Sequence, residues 1–299
     1  MPAPRTDLRF PGVLAATTTQ FAVDGSLDLD AIATHCDWLI GEGVRGIVPM
    51  GSLGEYEALT EDERSAAVEA AASVTRGRAQ LIPGVSGKSA REAVRWAERA
   101  AAAGADGVMC LAPTSHAPTA DEVVAHFTEV ARVGLPVIAY NNPFSTRVDL
   151  VPALLARLAE IDGVVAVKEF SQDVRRVAQI QELAPTLEVL VGCDDVLAEG
   201  VLMGATGWIA GFVNAFPAQS VRLFDLCAKG GWDEALPLYK AMLPILRWDA
   251  DPRFVQAIKA GQEEAGRYGG PVRLPRLPLS AADDAQARAD ARAALAVSR

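Results

Sequence analysis

Eight short apolar runs alternate with longer amphipathic stretches as far as residue 215, and this order constrains the fold more than any other feature of the chain. Apolar runs of this length, bounded by turn residues, are typical of buried strands. They predict strands at 13–18, 46–50, 80–85, 107–112, 136–140, 164–169, 188–192 and 207–212. Helices are predicted between them at 29–42, 61–74, 90–103, 121–133, 151–160, 171–183 and 196–203, with cap signals at Thr60 and Ser89.

Strands that alternate with helices form right-handed βαβ units with a parallel sheet, and eight such units close most naturally into a barrel. A doubly wound sheet is the alternative, but it would place a GxGxxG fingerprint after the first strand, where the chain reads AATTTQF. We therefore predict an α/β fold, a (β/α)8 TIM barrel, over 1–215. Helices predicted at 218–229, 232–247, 253–265 and 281–297 follow without a strand, so 216–299 is predicted as a C-terminal helical extension.

The composition narrows the classes of partner. With 50% hydrophobic residues the 299-residue chain can bury a large core, and its 28 basic and 38 acidic residues give a net charge of -10. This balance disfavours nucleic acid and anionic membranes, because both are bound by positive charge. No apolar run reaches the ~18 residues of a membrane span, and the four cysteines form no CxxC pair. A cytoplasmic globular protein with reduced cysteines is expected.

In a barrel of this kind the active site lies at the carboxyl ends of the strands, so polar residues at those ends are considered first. These residues are Ser52 and Glu55 after the second strand, Thr114 to His116 after the fourth, Tyr140 and Asn141 after the fifth, Lys168 and Glu169 after the sixth, and Asp194 and Asp195 after the seventh. Their position makes them candidate active-site residues, and the chemistry of each depends on its neighbours.

Lys168 is the most unusual of these residues, because it ends the otherwise apolar run VVAVK. Burial disfavours the charged ammonium and lowers its pKa, which gives a neutral amine able to attack a carbonyl group and form an imine. The structural alternative is a strand-end lysine that forms an ion pair with a carboxylate such as Glu169.

Tyr140 ends the strand LPVIAY one strand earlier, so its phenol is expected beside Lys168 across adjacent strands. A phenol there could transfer protons during imine formation, although an ordinary amphipathic tyrosine would also suit a strand end. The loop GSLGE, at 51–55, has glycines for tight turns, and its free amides and the Ser52 hydroxyl could bind a carboxylate. It lacks the GK[ST] of a nucleotide-binding loop, and by itself it is weak evidence.

The histidines do not predict a metal site. His35, His116 and His126 lack metal-ligand spacing, and only His116 lies near the predicted barrel mouth, either as a substrate contact or as a loop residue. No nucleophile triad or carboxylate cluster is visible. We therefore expect no cofactor and no metal ion.

Four motifs, each at a predicted strand end, occur in one order: GSLGE, YNNP, VKEF and GCDD. Together they resemble the dihydrodipicolinate synthase and N-acetylneuraminate lyase family over essentially the whole chain. The resemblance implies a (β/α)8 barrel with a C-terminal helical region, commonly a homotetramer. It also implies that Lys168 forms a Schiff base with a small-molecule partner, pyruvate or another 2-oxo acid.

The resemblance also assigns roles to further residues. Tyr140 matches the family's proton-relay tyrosine, Ser52 and the Leu53 amide match its carboxylate-binding pair, and Ile209 in GWIAG matches a position beside the imine. The segment that begins GCDD is similar to the lyase branch where that branch contacts the polar tail of its substrate, which implies this role for Gly192, Asp194 and Asp195.

Three departures from the synthase pattern affect the expected reaction. Leu53 replaces the second hydroxyl residue of that pattern, and the loop APTSHAP contains no tyrosine to complete a relay. Ser145 stands where synthases place an arginine for the aldehyde's carboxylate, while Arg147 lies two positions further on. These differences favour an aldolase or a deaminase or dehydratase over a 4-hydroxy-tetrahydrodipicolinate synthase, which stays an alternative.

Two other classes of function are weighed against this hypothesis. A binding or regulatory barrel without turnover would explain the absent relay, although the presence of both Lys168 and Tyr140 argues against it. A barrel that binds a phosphate-bearing cofactor after its last strands is disfavoured by Asp194 and Asp195, whose charges would repel a phosphate.

Overall fold

The eight predicted strands form one parallel sheet. In the computed structural model, which describes residues 8–297, they are β1 (Gly12–Ala16), β2 (Gly46–Val48), β3 (Gln80–Leu81), β4 (Val108–Leu111), β5 (Val137–Asn141), β6 (Val164–Glu169), β7 (Glu188–Val191) and β8 (Gly207–Ala210). The strand order is β3-β2-β1-β8-β7-β6-β5-β4, so β8 pairs with β1, and consecutive strands are neighbours except β3 and β4, which stand at the two ends of the order.

The sheet closes between β3 and β4. The Met109 amide donates a hydrogen bond to the Pro83 carbonyl at 3.0 Å, and the Val85 amide donates to the Met109 carbonyl at 2.9 Å. These bonds join the two ends of the strand order into a barrel. The predicted (β/α)8 barrel with a C-terminal helical extension is confirmed, because each strand is followed by a helix that packs on its outer face.

The barrel helices are α1 (Leu29–Gly41), α2 (Glu61–Thr75), α3 (Ala90–Ala102), α4 (Ala120–Ala131), α5 (Pro152–Leu158), α6 (Arg175–Leu183), α7 (Leu197–Leu202) and α8 (Pro217–Ala228). The predicted cap at Thr60 is a capping box, in which the Thr60 side chain accepts from the Glu63 amide and the Glu63 carboxylate accepts from the Thr60 amide. Ser89 likewise caps α3 by accepting from the Glu92 amide. These caps fix where the helices begin after their loops.

The rest of the chain is helical and returns over the barrel mouth. Its helices are α9 (Trp232–Leu246), α10 (Phe254–Glu264) and α11 (Ala281–Ala296). A 3-10 turn, Arg247–Ala250, precedes α10, and an extended segment, 265–280, joins α10 to α11. We call this segment the connector. Helix α8 begins after residue 215, yet it contacts β1 as the eighth helix of the barrel would. The predicted division at residue 215 therefore stays a prediction.

Among the helices of residues 8–297, none has both the length and the apolar character that crossing a bilayer requires.

Candidate active site

Lys168 and Tyr140 lie side by side at the carboxyl end of the barrel. The two residues are register partners between β5 and β6, which confirms the expected neighbourhood. The Lys168 Nζ lies 4.6 Å from the centre of the Tyr140 ring and 5.9 Å from that of Phe170. An aromatic face attracts an amino group but does not accept a conventional hydrogen bond or form an ion pair. The two rings therefore fix the position of the Lys168 amine and leave its nitrogen able to react.

The Lys168 amine is buried and free of hydrogen bonds. The residue is 5% exposed, and within residues 8–297 no acceptor lies at hydrogen-bonding distance from Nζ. Burial lowers the pKa of Lys168, against an opposing effect of the Asp249 and Asp194 carboxylates. The pKa shift favours the neutral amine, which is the nucleophilic form.

The alternative in which Glu169 forms an ion pair with Lys168 is wrong. The Glu169 carboxylate accepts hydrogen bonds from Asn141 Nδ2 at 3.0 Å and from the Ser171 amide at 2.6 Å. Successive side chains of a strand point to opposite faces, so the two neighbours of β6 lie on opposite sides of the sheet. Glu169 and Asn141 secure the loop after β5 and contribute no counterion to the amine.

Lys168 faces a cavity of about 500 Å³ that we call the inner chamber. Its lining combines the ends of several barrel strands with the turn before α10 and one residue of the connector. The described lining residues are Ala16, Gly51, Ser52, Leu53, Met109, Tyr140, Asn142, Phe144, Ser145, Lys168, Phe170, Gln172, Gly211, Asp249, Ala250, Asp251, Pro252, Phe254 and Arg276. The barrel thus forms the floor of the chamber, and the C-terminal region forms part of its wall.

The Tyr140 phenol is prepared to donate a proton. Asn142 Nδ2 donates a hydrogen bond to the phenol oxygen at 2.9 Å, which leaves the O–H hydrogen of Tyr140 free to point elsewhere. Burial raises the pKa of Tyr140, so the group is a neutral phenol at neutral pH. The phenol can therefore give a proton to an oxygen that develops beside Lys168 and later take it back.

Ser52 and Leu53 line the chamber and, in the described part of the chain, have free backbone amides. They begin a 3-10 turn, Ser52–Gly54, and within the described residues neither amide has a hydrogen-bond acceptor. Met50, with a φ of 62°, reverses the chain just before this turn. A Cβ on Gly84 would lie 2.2 Å from the Met50 carbonyl oxygen, so glycine is required there. Free amides in a tight turn suit a carboxylate.

Two buried carboxyl groups, those of Asp194 and Asp249, act electrostatically on Lys168. Asp194 is fully buried, and its carboxylate accepts from Trp208 Nε1 at 2.9 Å and from the Phe212 amide at 2.7 Å. The Asp194 amide donates to Asp249 Oδ2 at 3.1 Å. Burial raises the pKa of Asp194 to about 6, and it raises that of Asp249 well above its usual value.

Sequence reasoning missed Asp249. It belongs to the Arg247–Ala250 turn of the helical extension, whereas the sequence analysis considered only residues at the ends of strands. The predicted role of Asp194 in substrate binding stays a prediction. Its carboxylate already accepts hydrogen bonds from Trp208 and Phe212. Its effect on the chamber is electrostatic, because its charge raises the pKa of Lys168.

The remaining predicted site residues differ in their burial and in their position relative to the inner chamber. Gly192 lies beside the Lys168 side chain, where a Cβ would come within 3.0 Å of Lys168 Cγ. Ile209 is fully buried in β8, and of the described residues it is Gly211 rather than Ile209 that lines the chamber. His116 and Arg147 are exposed, and His116 lies 3.7 Å from a Glu122 carboxylate oxygen. Their roles in binding stay predictions.

A second cavity of about 360 Å³ adjoins the inner chamber, and we call it the outer lobe. Ser52, Ser145, Phe254 and Arg276 line both cavities. The described lining is completed by Glu55, Tyr56, Glu57, Ala58, Leu111, Thr114, Arg273 and Pro275. The sequence did not single out Tyr56, Phe254 or Arg276. In the part of the chain that the structure describes, no group of three or more His, Cys, Asp or Glu side chains is arranged to hold a metal ion.

These features define a class of protein, a (β/α)8 barrel with a buried lysine and a phenol together at the carboxyl ends of two adjacent strands. Such a constellation suits the barrel lyases. The chain belongs to the dihydrodipicolinate synthetase family, whose model matches residues 9–294, and it is a lyase.

Relatives support this membership over nearly the full length. The chain is 32% identical to a 4-hydroxy-tetrahydrodipicolinate synthase of Methanosphaerula palustris, covering 91% of this chain and 95% of that protein. It is 33% identical to an uncharacterized DapA-like lyase of Halobacterium salinarum, covering 97% and 96%. The crystal structure of a putative dihydrodipicolinate synthetase from Pseudomonas aeruginosa superposes with a TM-score of 0.91 at 30% identity, covering 96% of this chain and all of that one (100%).

Proposed function

We propose that the protein is a metal-free lyase in which Lys168 forms a Schiff base with pyruvate or a related 2-oxo acid. The observation that carries this proposal is the Lys168 amine itself, which is buried, unpaired within residues 8–297, and held over the Tyr140 ring in a chamber of about 500 Å³. Burial shifts the pKa of Lys168 downward, toward the neutral amine, and the chamber gives that amine space for a substrate.

The acid would enter with its carboxylate on the amides of Ser52 and Leu53, which places its C2 carbonyl toward Lys168. The amine nitrogen attacks C2, a C–N bond forms, and the carbonyl oxygen takes a proton to become the hydroxyl of a carbinolamine. The nitrogen loses one proton to complete the carbinolamine. The hydroxyl then takes a second proton and leaves as water, which gives a protonated imine, and loss of the second proton from nitrogen gives the neutral imine. Tyr140 supplies the protons to the oxygen and is reprotonated by those that the nitrogen releases.

The imine explains why one site suits several lyase reactions. Once protonated, its nitrogen accepts an electron pair when a bond near C2 breaks or when C3 loses a proton. We favour an aldolase or a deaminase or dehydratase. This choice is supported by Thr114, Ser115 and His116, which stand in the loop where a synthase would place a relay tyrosine, and by Arg147, which is absent from the described linings of both cavities.

The second candidate is a 4-hydroxy-tetrahydrodipicolinate synthase. The names of several relatives favour it, among them the protein from Methanosphaerula palustris. Under either candidate we carry forward, from the family resemblance, a homotetramer in the cytoplasm that acts on a small-molecule 2-oxo acid.

Reductive trapping tests the proposal. The protein is incubated with borohydride and one of pyruvate, N-acetylneuraminate, a 2-keto-3-deoxy sugar acid or the cyclic imino acid formed from hydroxyproline, and its intact mass is measured. Borohydride reduces an imine to a stable amine, so a Schiff base appears as a mass increase that peptide mapping assigns to Lys168. The Lys168→Ala variant is the control and should show no adduct.

The pattern of adducts separates the candidate reactions. An adduct with pyruvate alone supports an aldolase or a synthase, and aldehydes are then screened as second substrates. An adduct with only a longer acid or the imino acid supports a dehydratase or a deaminase. Absence of an adduct with every compound, or an adduct that persists in Lys168→Ala, would overturn the Schiff-base proposal.

A further inference from the structure

The connector brings Arg276 to the boundary between the inner chamber and the outer lobe, where it lines both cavities. Three hydrogen bonds fix the backbone around it. The Arg276 amide donates to the Arg273 carbonyl at 3.0 Å, Gln256 Nε2 donates to the Leu277 carbonyl at 2.9 Å, and the Arg273 amide donates to Glu55 Oε2 at 3.1 Å. The approach of Arg276 to the chamber is therefore built into the fold.

The Arg276 guanidinium is held in position by two contacts, neither of which is to a carboxylate. Its Cζ lies 5.2 Å from the centre of the Phe254 ring, and Nη1 donates to the Pro252 carbonyl at 3.3 Å. No carboxylate of residues 8–297 comes within ion-pair distance of it. Because a guanidinium has several N–H donors, most of its binding capacity remains available.

The neighbouring arginines have partners. Arg253 is paired with Asp251 at 2.7 Å and with Asp283 at 2.6 Å. Arg273 donates two hydrogen bonds to Glu63, at 2.8 and 2.6 Å. Two arginines line the cavities in the described structure, and of these Arg273 is paired with a carboxylate whereas Arg276 is not.

We propose that Arg276 is a specificity-determining residue that binds a second anionic group, a carboxylate at the far end of the substrate. This inference rests on the proposed function, in which the first carboxylate lies on Ser52 and Leu53 and the reacting carbon lies at Lys168. Ser52 and Arg276 both border the outer lobe, so a substrate chain that leaves Lys168 in that direction meets the guanidinium. Arginine is suited to this role because its fork matches a carboxylate in geometry.

The test compares 2-oxoglutarate with its 5-methyl ester, in which an uncharged ester of similar shape replaces the second carboxylate and the C1 carboxylate is kept. The concentration dependence of borohydride trapping gives an apparent affinity for each acid. We expect the protein to prefer the dicarboxylate, and Arg276→Gln to reduce that preference about 10- to 100-fold. Arg276→Lys should keep part of it, while pyruvate should still label Lys168 in Arg276→Gln, which shows that the variant is folded.

Two further arginines complete the design. Arg222→Gln changes an exposed arginine, paired with Glu234 outside both cavities, and should leave the preference intact. Arg147→Gln tests the competing arginine. An unchanged preference in Arg276→Gln, or a loss in Arg147→Gln instead, would overturn the proposal.

Calorimetric titration with glutarate separates this inference from the Schiff-base proposal, because glutarate has no carbonyl and forms no imine. Weaker binding of glutarate by Arg276→Gln than by the unaltered protein would support the anion site even if trapping failed. Equal binding by both proteins, or no binding by either, together with no preference in trapping, would refute it.

Discussion

Lys168 and Lys259 are buried to nearly the same degree, with 5% and 3% of their surface exposed, yet they occupy very different surroundings. Lys259 lies in α10, where the helical extension meets the barrel. Its Nζ donates to the Thr19 carbonyl at 2.7 Å and to the Pro271 carbonyl at 2.6 Å, and it lies 3.4 Å from Glu55 Oε1. Lys168 has no such partner within residues 8–297. Lys168 thus combines burial, a lack of hydrogen-bond partners among the described residues and a place beside a cavity, as expected of the proposed nucleophile, whereas Lys259 makes the contacts of a structural lysine.

The pKa values alone would not separate the two lysines. Burial lowers the pKa of Lys168, and it lowers that of Lys259 to about 8. Each Nζ also lies over an aromatic ring, that of Lys168 4.6 Å from the centre of the Tyr140 ring and that of Lys259 4.9 Å from the centre of the Phe21 ring. The difference is that Tyr140 carries a hydroxyl and Phe21 does not. A phenol that can transfer protons thus lies beside Lys168, whereas the ring beside Lys259 carries no hydroxyl.

The largest effect is expected for Lys168→Met, which removes the nucleophile and keeps a similar volume. Borohydride adducts and lyase turnover should be lost completely. The thermal melting temperature should stay the same or rise, because an apolar side chain carries no desolvation cost. Intact-mass measurement and thermal unfolding of the same sample check both points. A fall in melting temperature would show that Lys168 has a structural role as well.

Lys259→Met should give the opposite result. It leaves the Glu55 carboxylate buried without its cation, which typically costs about 3–5 kcal/mol of unfolding free energy. Urea unfolding measures this loss, while trapping below the midpoint should still label Lys168. The double variant Lys259→Met with Glu55→Gln should recover part of the stability. If Lys259→Met abolished trapping in a folded sample, the division between the two lysines would be wrong.

Tyr140→Phe makes the surroundings of Lys168 resemble those of Lys259. Without the hydroxyl, turnover should fall about 10²- to 10⁴-fold, the usual contribution of a positioned proton donor. The pyruvate adduct should still form after longer incubation, since the amine is unchanged. Steady-state kinetics with the substrate found by trapping measure the loss. Tyr268→Phe, which removes a hydroxyl bonded to the Phe21 carbonyl, is the matched control and should retain full turnover.

Asp249→Asn should produce the smallest effect, a shift in pH dependence. Attack requires neutral Lys168, so the trapping rate rises with pH and levels off above its pKa. The Asp249 carboxylate raises the pKa of Lys168 against the larger effect of burial. Its removal lowers that pKa further, and the half-maximal rate should move about 1 pH unit toward acid. Asp251→Asn, which alters a carboxylate paired with Arg253, should leave the midpoint in place.

The alternation of apolar and amphipathic segments was sufficient to predict the barrel, because each strand and helix forms from neighbouring residues. Lys168 and Tyr140 were predicted as neighbours for the same reason, since adjacent strands end together. Asp249 and Arg276 could not be predicted. They belong to the helical extension, and their places at the chamber depend on how that region packs over the mouth. Lys259 and its partner Glu55 are likewise far apart in sequence.

The connector is a separate length of chain from the strands that carry Lys168 and Tyr140, and it forms part of the chamber wall through Arg276. Under the role proposed for Arg276, substitutions in this segment should change which molecules are accepted and leave the reaction itself undisturbed. A laboratory library restricted to 274–279 would test whether new substrate ranges arise on an unchanged barrel. The barrel strands would then determine the reaction, and the connector would determine which substrates are accepted.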